Sequence, residues 1–128
     1  MTQEEKDLLL KDLCSRLTYG VIVHHTVINC DYILTGCLTD GRILVETIEN
    51  HIGLTPTSIN ECKPYLRPMS SMTEEEISHC NYLLLHMEDS LSYYDYLNSI
   101  HIDYRGLIPM GLAIEVTEEN NPYKPYKH

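Results

Sequence analysis

The chain has 128 residues, 43% of them hydrophobic and 22% charged, enough for one domain with a true core and ordinary for a globular protein. Nine Lys and Arg against nineteen Asp and Glu give a formal charge of −10, which argues against direct binding to nucleic acid phosphates, a process driven by cations that displace counterions. No apolar run approaches the ~20 residues that span a bilayer, and the acidic start Met1–Glu5 lacks the cationic region of a secretory signal, so the expectation is a cytoplasmic protein with no membrane role.

Thr2 and Glu5 have capping-box spacing, and Leu9, Leu10, Leu13, Cys14 and Leu17 follow at helical intervals. This predicts an amphipathic helix over 3–17, closed by Tyr19-Gly20. The β-branched run Val21–Ile28 and the segments Tyr32–Leu38 and Ile43–Ile48 read as strands. Asp40-Gly41 suits the positive φ values of a tight hairpin, so the second and third strands are expected to pair antiparallel. Gly36, inside its strand, suggests a bulge or a close approach by another backbone.

Residues 49–72 carry no sustained period, with Thr57–Glu61 reading as at most one helical turn. In Lys63-Pro-Tyr-Leu-Arg-Pro-Met-Ser-Ser-Met-Thr-Glu-Glu-Glu76 each proline fixes its own φ and pushes the preceding residue toward extended geometry. That run reads as a stiff arm leading into a helix. Thr73 and Glu76 repeat the capping-box spacing, and Ile77, Cys80, Asn81, Leu84, Met87 and Leu91 then recur as a core-facing stripe. Asp89-Ser90 leaves 74–100 as either two helices or one bent one, with Tyr93, Tyr96, Leu97 and Ile100 on the apolar side of the later part. Asp103–Gly111 reads as a capped turn and an irregular stretch, because Pro109 cannot sit deep in a helix. Ala113–Val116 reads as a short edge strand. The expected architecture is a single α+β domain over 1–117: an N-terminal helix, a small SH3-like antiparallel meander of three to four strands, and a C-terminal helical half. Residues 118–128 are expected to form a flexible tail.

The five cysteines, at 14, 30, 37, 62 and 80, are odd in number and include no C-x-x-C. That argues against a disulfide framework or an ordinary zinc site and favours small buried hydrophobes. All ten aromatic rings are tyrosines. Each hydroxyl needs water or a partner, so the rings belong at the boundary between core and solvent. Adjacent strand residues point to opposite faces, so His24 and His25 cannot serve one metal from one strand. His79 and His86 lie two helical turns apart, roughly 10 Å. No nucleophile motif, phosphate-binding glycine loop or dinucleotide fingerprint is present. The reading leans away from an enzyme, with no cofactor and no metal.

The remaining candidates are cationic and aromatic: Lys63, Tyr65 and Arg67 on the arm, with Tyr104 and Arg105 after the last helix. Arg suits planar recognition of carboxylate or phosphate and stacks on rings. The competing reading is that Arg67 and Arg105 pair internally with carboxylates and pin the arm to the helices.

The phrases Met1–Glu5, Asp12–Leu17, Lys63–Glu76, Asp95-Tyr-Leu-Asn98 and Asp103–Ile108 together resemble a family of small uncharacterised proteins of gut anaerobes of the Bacteroides type, their phages and mobile elements. Relatives tend to carry Trp where this chain has Tyr96. The resemblance implies an accessory or phage-borne gene, one that counters a host defence by binding something, and offers no catalytic residues to transfer. The function expected is therefore a non-enzymatic binding protein acting on a protein partner through Lys63, Tyr65, Arg67, Tyr104 and Arg105. The alternative is a binder that sequesters an anionic nucleotide signal, and an enzyme of unknown class comes third. Assembly with a second copy stays open.

Overall fold

Helix α1, Gln3–Ser15, begins where the sequence places it. The Thr2 hydroxyl accepts from the Glu5 amide at 3.1 Å and the Glu5 carboxylate accepts from the Thr2 amide at 2.9 Å, so two otherwise orphaned donors are satisfied reciprocally. The computed structural model describes residues 1–86 and 91–123. After α1 come strands β1 (Ile22–His25), β2 (Cys30–Cys37), β3 (Arg42–Thr47), β4 (Thr57–Ser58) and β5 (Cys62–Pro68). Helices α2 (Glu74–His86) and α3 (Leu91–Ser99) follow, then β6 (Ile102–Asp103) and β7 (Ile114–Glu115). The question whether 74–100 is one helix or two falls on residues 87–90, which lie outside those described. No helix among the described residues is long and apolar enough to cross a membrane.

The strands form one mixed sheet of seven, in the order β4-β3-β2-β1-β5-β6, with β7 also on β5. The first five pair antiparallel, whereas β6 and β7 join β5 in parallel. The sheet is thus larger than the expected SH3-like meander of three to four strands, and not wholly antiparallel. The predicted β2–β3 pair is present, and its register slips between Leu34 and Gly36. A Cβ built on Gly36 would come 3.0 Å from Leu44 Cδ1, so of the two expectations the bulge is present and what crowds this glycine is a side chain, not another backbone. The hairpin is longer than a two-residue turn: only Gly41 takes positive φ (+88°), closing a Leu38–Gly41 turn through Gly41 N–H to Leu38 O at 3.1 Å.

The segment expected to be an arm is mostly strand β5. Its prolines favour extended backbone, which is also strand geometry. It pairs with β1 at Cys62–Pro64, then with β7 and β6 from Tyr65 onward. The main core lies between α1 and the sheet, with Leu9, Leu13, Val23, Leu34, Ile43 and Leu66 fully buried or nearly so. A second cluster of Cys80, Leu97 and Ile102 seats α2 and α3, with Tyr93, Tyr96 and Ile100 packed around it. The later helix therefore buries the side its pattern indicated.

Helix α2 does so only in part. Its buried residues are Cys80, a member of the predicted core-facing stripe, and Leu83, which is not, whereas Ile77 and Leu84 of that stripe are 44% and 57% exposed. The cysteines divide as well: Cys62 and Cys80 are buried, but Cys14 and Cys30 are exposed.

Of the tail expected from 118, residues 118–123 are described and carry hydrogen bonds back to the domain. Asn120 accepts from the Thr117 amide and donates to Glu115 O. The Tyr123 hydroxyl accepts from Ile22 N–H at 2.9 Å and donates to Tyr65 O at 2.7 Å. The β1–β5 register, continued by one step from Val23↔Pro64, would set Ile22 opposite Tyr65. A phenol hydroxyl therefore bridges the two strands where they part, satisfying one donor and one acceptor at once.

Candidate functional site

Four of the five nominated residues fall into three hydrogen-bonded networks. Lys63, Tyr65 and Arg67 alternate along β5 and so share one face of it. Opposite Lys63 lies His24, and opposite His24 lies Asp31. The Asp31 carboxylate accepts from the Tyr65 hydroxyl at 2.9 Å and meets His24 Nδ1 at 2.7 Å. Burial, and then the bond to Asp31, push the Tyr65 phenol up to about 12. Tyr65 is 9% exposed, which makes it an internal partner rather than a contact surface. His24 and His25 diverge to opposite faces: the buried His25 turns its Nδ1 to the amides of Val27 and Ile28.

Arg67 spends its fork inside the molecule. Nη2 and Nη1 donate to the two oxygens of Glu76 at 2.7 and 2.9 Å, and Nη2 also reaches Ser71 O. Glu76 is the same carboxylate that caps α2 by accepting from the Thr73 amide at 2.9 Å. One side chain thus ties the end of β5 to the start of α2. The hydrogen bond from Arg67 is the largest influence holding the Glu76 carboxyl below its ordinary range. This is the internal pairing that competed with a contact role.

Arg105 joins a network built on α1. Asp12 and Arg16, one helical turn apart and both with no exposed side-chain surface, pair through Nε at 2.8 Å and Nη2 at 3.0 Å. Arg16 Nη2 also donates to Ile102 O at 2.8 Å, while its Nη1 is buried with no hydrogen-bond partner among the described residues. Arg105 Nε donates to the same Asp12 at 3.1 Å. One carboxylate therefore serves two guanidinium groups. The Tyr104 ring lies about 5 Å from both guanidinium carbons, at 5.2 and 5.0 Å, within cation–π range. Its hydroxyl donates to Asn98 Oδ1 at 2.9 Å.

Beside this network is an open cavity of about 470 Å³ lined by Ser15, Leu91, Tyr94, Asp95, Asn98, Tyr104 and Arg105. Arg105, whose Nη2 also donates to the Tyr104 hydroxyl at 3.3 Å, brings a guanidinium to that wall. Asp95, on the same wall, opposes it with a negative charge. Of the nominated residues, Tyr104 and Arg105 reach a cavity, Arg67 and Tyr65 are engaged internally, and Lys63 is half-buried on the sheet face.

The surface that residue types did not single out is on α2. Ile77, Leu84 and Leu85 stand at i, i+7 and i+8, and are 44%, 57% and 80% exposed. That spacing places them on one helical face. Tyr82, three residues before Leu85 and so beside it on the helix, is also exposed, in ring contact with His86 at 4.5 Å. The signal was in the run Leu83-Leu84-Leu85. Three consecutive leucines cover about 200° of a helix, too wide for one buried stripe, so at least one had to face outward. Searches of protein-family models, of curated proteins and of solved structures find no match to this chain.

Proposed function

We propose that the chain is a non-enzymatic binding protein that engages a macromolecular partner through the exposed face of α2. One observation carries this reading: the helix buries two residues and turns its better-formed apolar stripe, Ile77–Leu84–Leu85, to solvent. Isolated exposed leucines are ordinary on protein surfaces, but three at helical spacing form a stripe of the kind that docks against another element. The accessory, phage-borne setting implied by the sequence resemblance suits such a binder.

The test is a photo-crosslinking amino acid placed at residue 85, and separately at the exposed Val27 of the β1–β2 turn, in lysate of cells that carry the gene. A discrete protein adduct at position 85 and not at 27 supports the reading. No adduct at 85, or the same adducts at both positions, contradicts it.

A second reading has its own observation. The Arg105 guanidinium on a cavity wall shared with the Tyr94 and Tyr104 rings suits an anionic nucleotide. Asp95 on the same wall weakens it. A thermal shift with nucleotides that vanishes in Arg105→Ala would favour this reading over the first.

A further inference from the structure

We infer that the occupant of the α2 face is a cationic amphipathic helix of a partner protein, an assignment that rests on the binding role just proposed. The shape requirement comes from the stripe itself. Ile77 and Leu84 are separated by roughly 10 Å of helical rise, with Leu85 broadening the far end, so the complement is an elongated apolar element of two or more turns. A helix presenting residues at i, i+3, i+4 and i+7 meets that description.

The charge requirement is independent of it. Between Arg67 and Arg105 the sequence contains no Lys or Arg. On the described helices of that stretch, Glu74, Glu75 and Asp95 are exposed carboxylates. The acid nearest the sheet, Glu76, is already neutralised by Arg67, and Asp103 is taken by the amides of Leu107 and Ile108. Asp95 shares its cavity wall with Arg105, so it is α2 itself that offers apolar contact beside exposed charge of one sign, Glu74 and Glu75. A partner bearing Lys or Arg beside its apolar positions is attracted, and an acidic one is repelled at encounter. A second copy of this chain would bring the same carboxylates against their equivalents, which disfavours self-association through this face.

The probe is an 18-residue fluorescein-labelled peptide of Leu and Lys, with leucines at i, i+3, i+4 and i+7, compared with the peptide in which every Lys is Glu. Fluorescence anisotropy is read with the unmodified protein, with Leu84→Ser/Leu85→Ser, and with Val27→Ser/Ile28→Ser, which trims exposed apolar side chains at a distant turn. The inference expects the Lys peptide to bind the unmodified and Val27/Ile28 proteins alike. It expects binding at least about tenfold weaker to the Leu84/Leu85 variant, the loss typical of one interface anchor, and no binding of the Glu peptide. Equal binding to the Leu84/Leu85 variant would mean that net charge alone attracts the peptide, and overturns the inference. Equal binding of the Glu peptide overturns it too. So does a dimer in sedimentation that Leu84→Ser/Leu85→Ser dissociates, because a second copy then fills the face. If crosslinking at residue 85 captures a partner while the Lys peptide fails to bind, the docking face stands and its occupant is of another kind. If both fail, the binding role falls as well.

Discussion

Asp12→Ala is expected to lower the free energy of unfolding by about 3–5 kcal/mol, the cost of leaving buried charge without its partner. The asymmetry within the network makes the expectation specific. Asp12 accepts from Arg16 twice and from Arg105 once, so its loss strands two cations, one of them with no solvent exposure. Arg16→Met removes one cation and leaves Asp12 with Arg105, and is expected to be clearly milder. Urea denaturation of the two variants measures the difference. An Asp12→Ala loss equal to or smaller than that of Arg16→Met would show that the carboxylate is not the hub of this cluster.

The second large effect is in pH. His101 sits at φ +63° after α3, a left-handed position at which non-glycine residues are uncommon. Its ring stacks on Tyr123 with centroids 3.8 Å apart, and its Nδ1 is buried with no partner. Burial, and then the nearby Arg16 and Arg67 charges, push its pKa down to about 4. In the unfolded chain the ring titrates near 6.5. Between these values the unfolded state binds a proton that the folded state refuses, so stability falls as pH drops from about 6.5 to about 4. At 1.36 kcal/mol per tenfold, the loss approaches about 3 kcal/mol. Asn tolerates left-handed backbone and does not titrate, so His101→Asn should lose about 3 kcal/mol less than the unmodified protein between pH 7 and pH 4. Glu76, whose depressed pKa adds its own loss below about 4.5, is common to both proteins and cancels. Parallel pH curves for the two would rule out His101 as the source.

The parts of the fold that were legible are those decided within a few residues. The Thr2–Glu5 and Thr73–Glu76 caps, the Gly36 bulge and the antiparallel β2–β3 pair all depend on local chemistry. Strand β5 was misread because Pro64 and Pro68 signal extended backbone without saying whether other strands flank it. Two-residue strands such as β6 owe their existence to β5, a partner more than thirty positions away, as the Arg67↔Ile102 register shows. The phase of α2 was only partly right, for a more useful reason. Ile77, Cys80, Asn81 and Leu84 form one periodic pattern, and amphipathic reasoning assigns such a pattern to the core, whereas here only Cys80 of that set is buried and Leu83, from outside it, joins it. The roles of Arg67 and Arg105 depended on where Glu76 and Asp12 would lie, and for Arg105 that carboxylate is 93 positions distant.

The measurement that bears most directly on an outward-facing α2 is the unfolding free energy of Leu84→Ser/Leu85→Ser, taken beside its capture of the partner that crosslinks at residue 85. Side chains that mostly face solvent in the free protein should change stability by no more than about 0.5 kcal/mol each, while partner capture is lost. A loss of about 2 kcal/mol or more for the double variant, the signature of a core position, would place the stripe inside the fold and contradict the account.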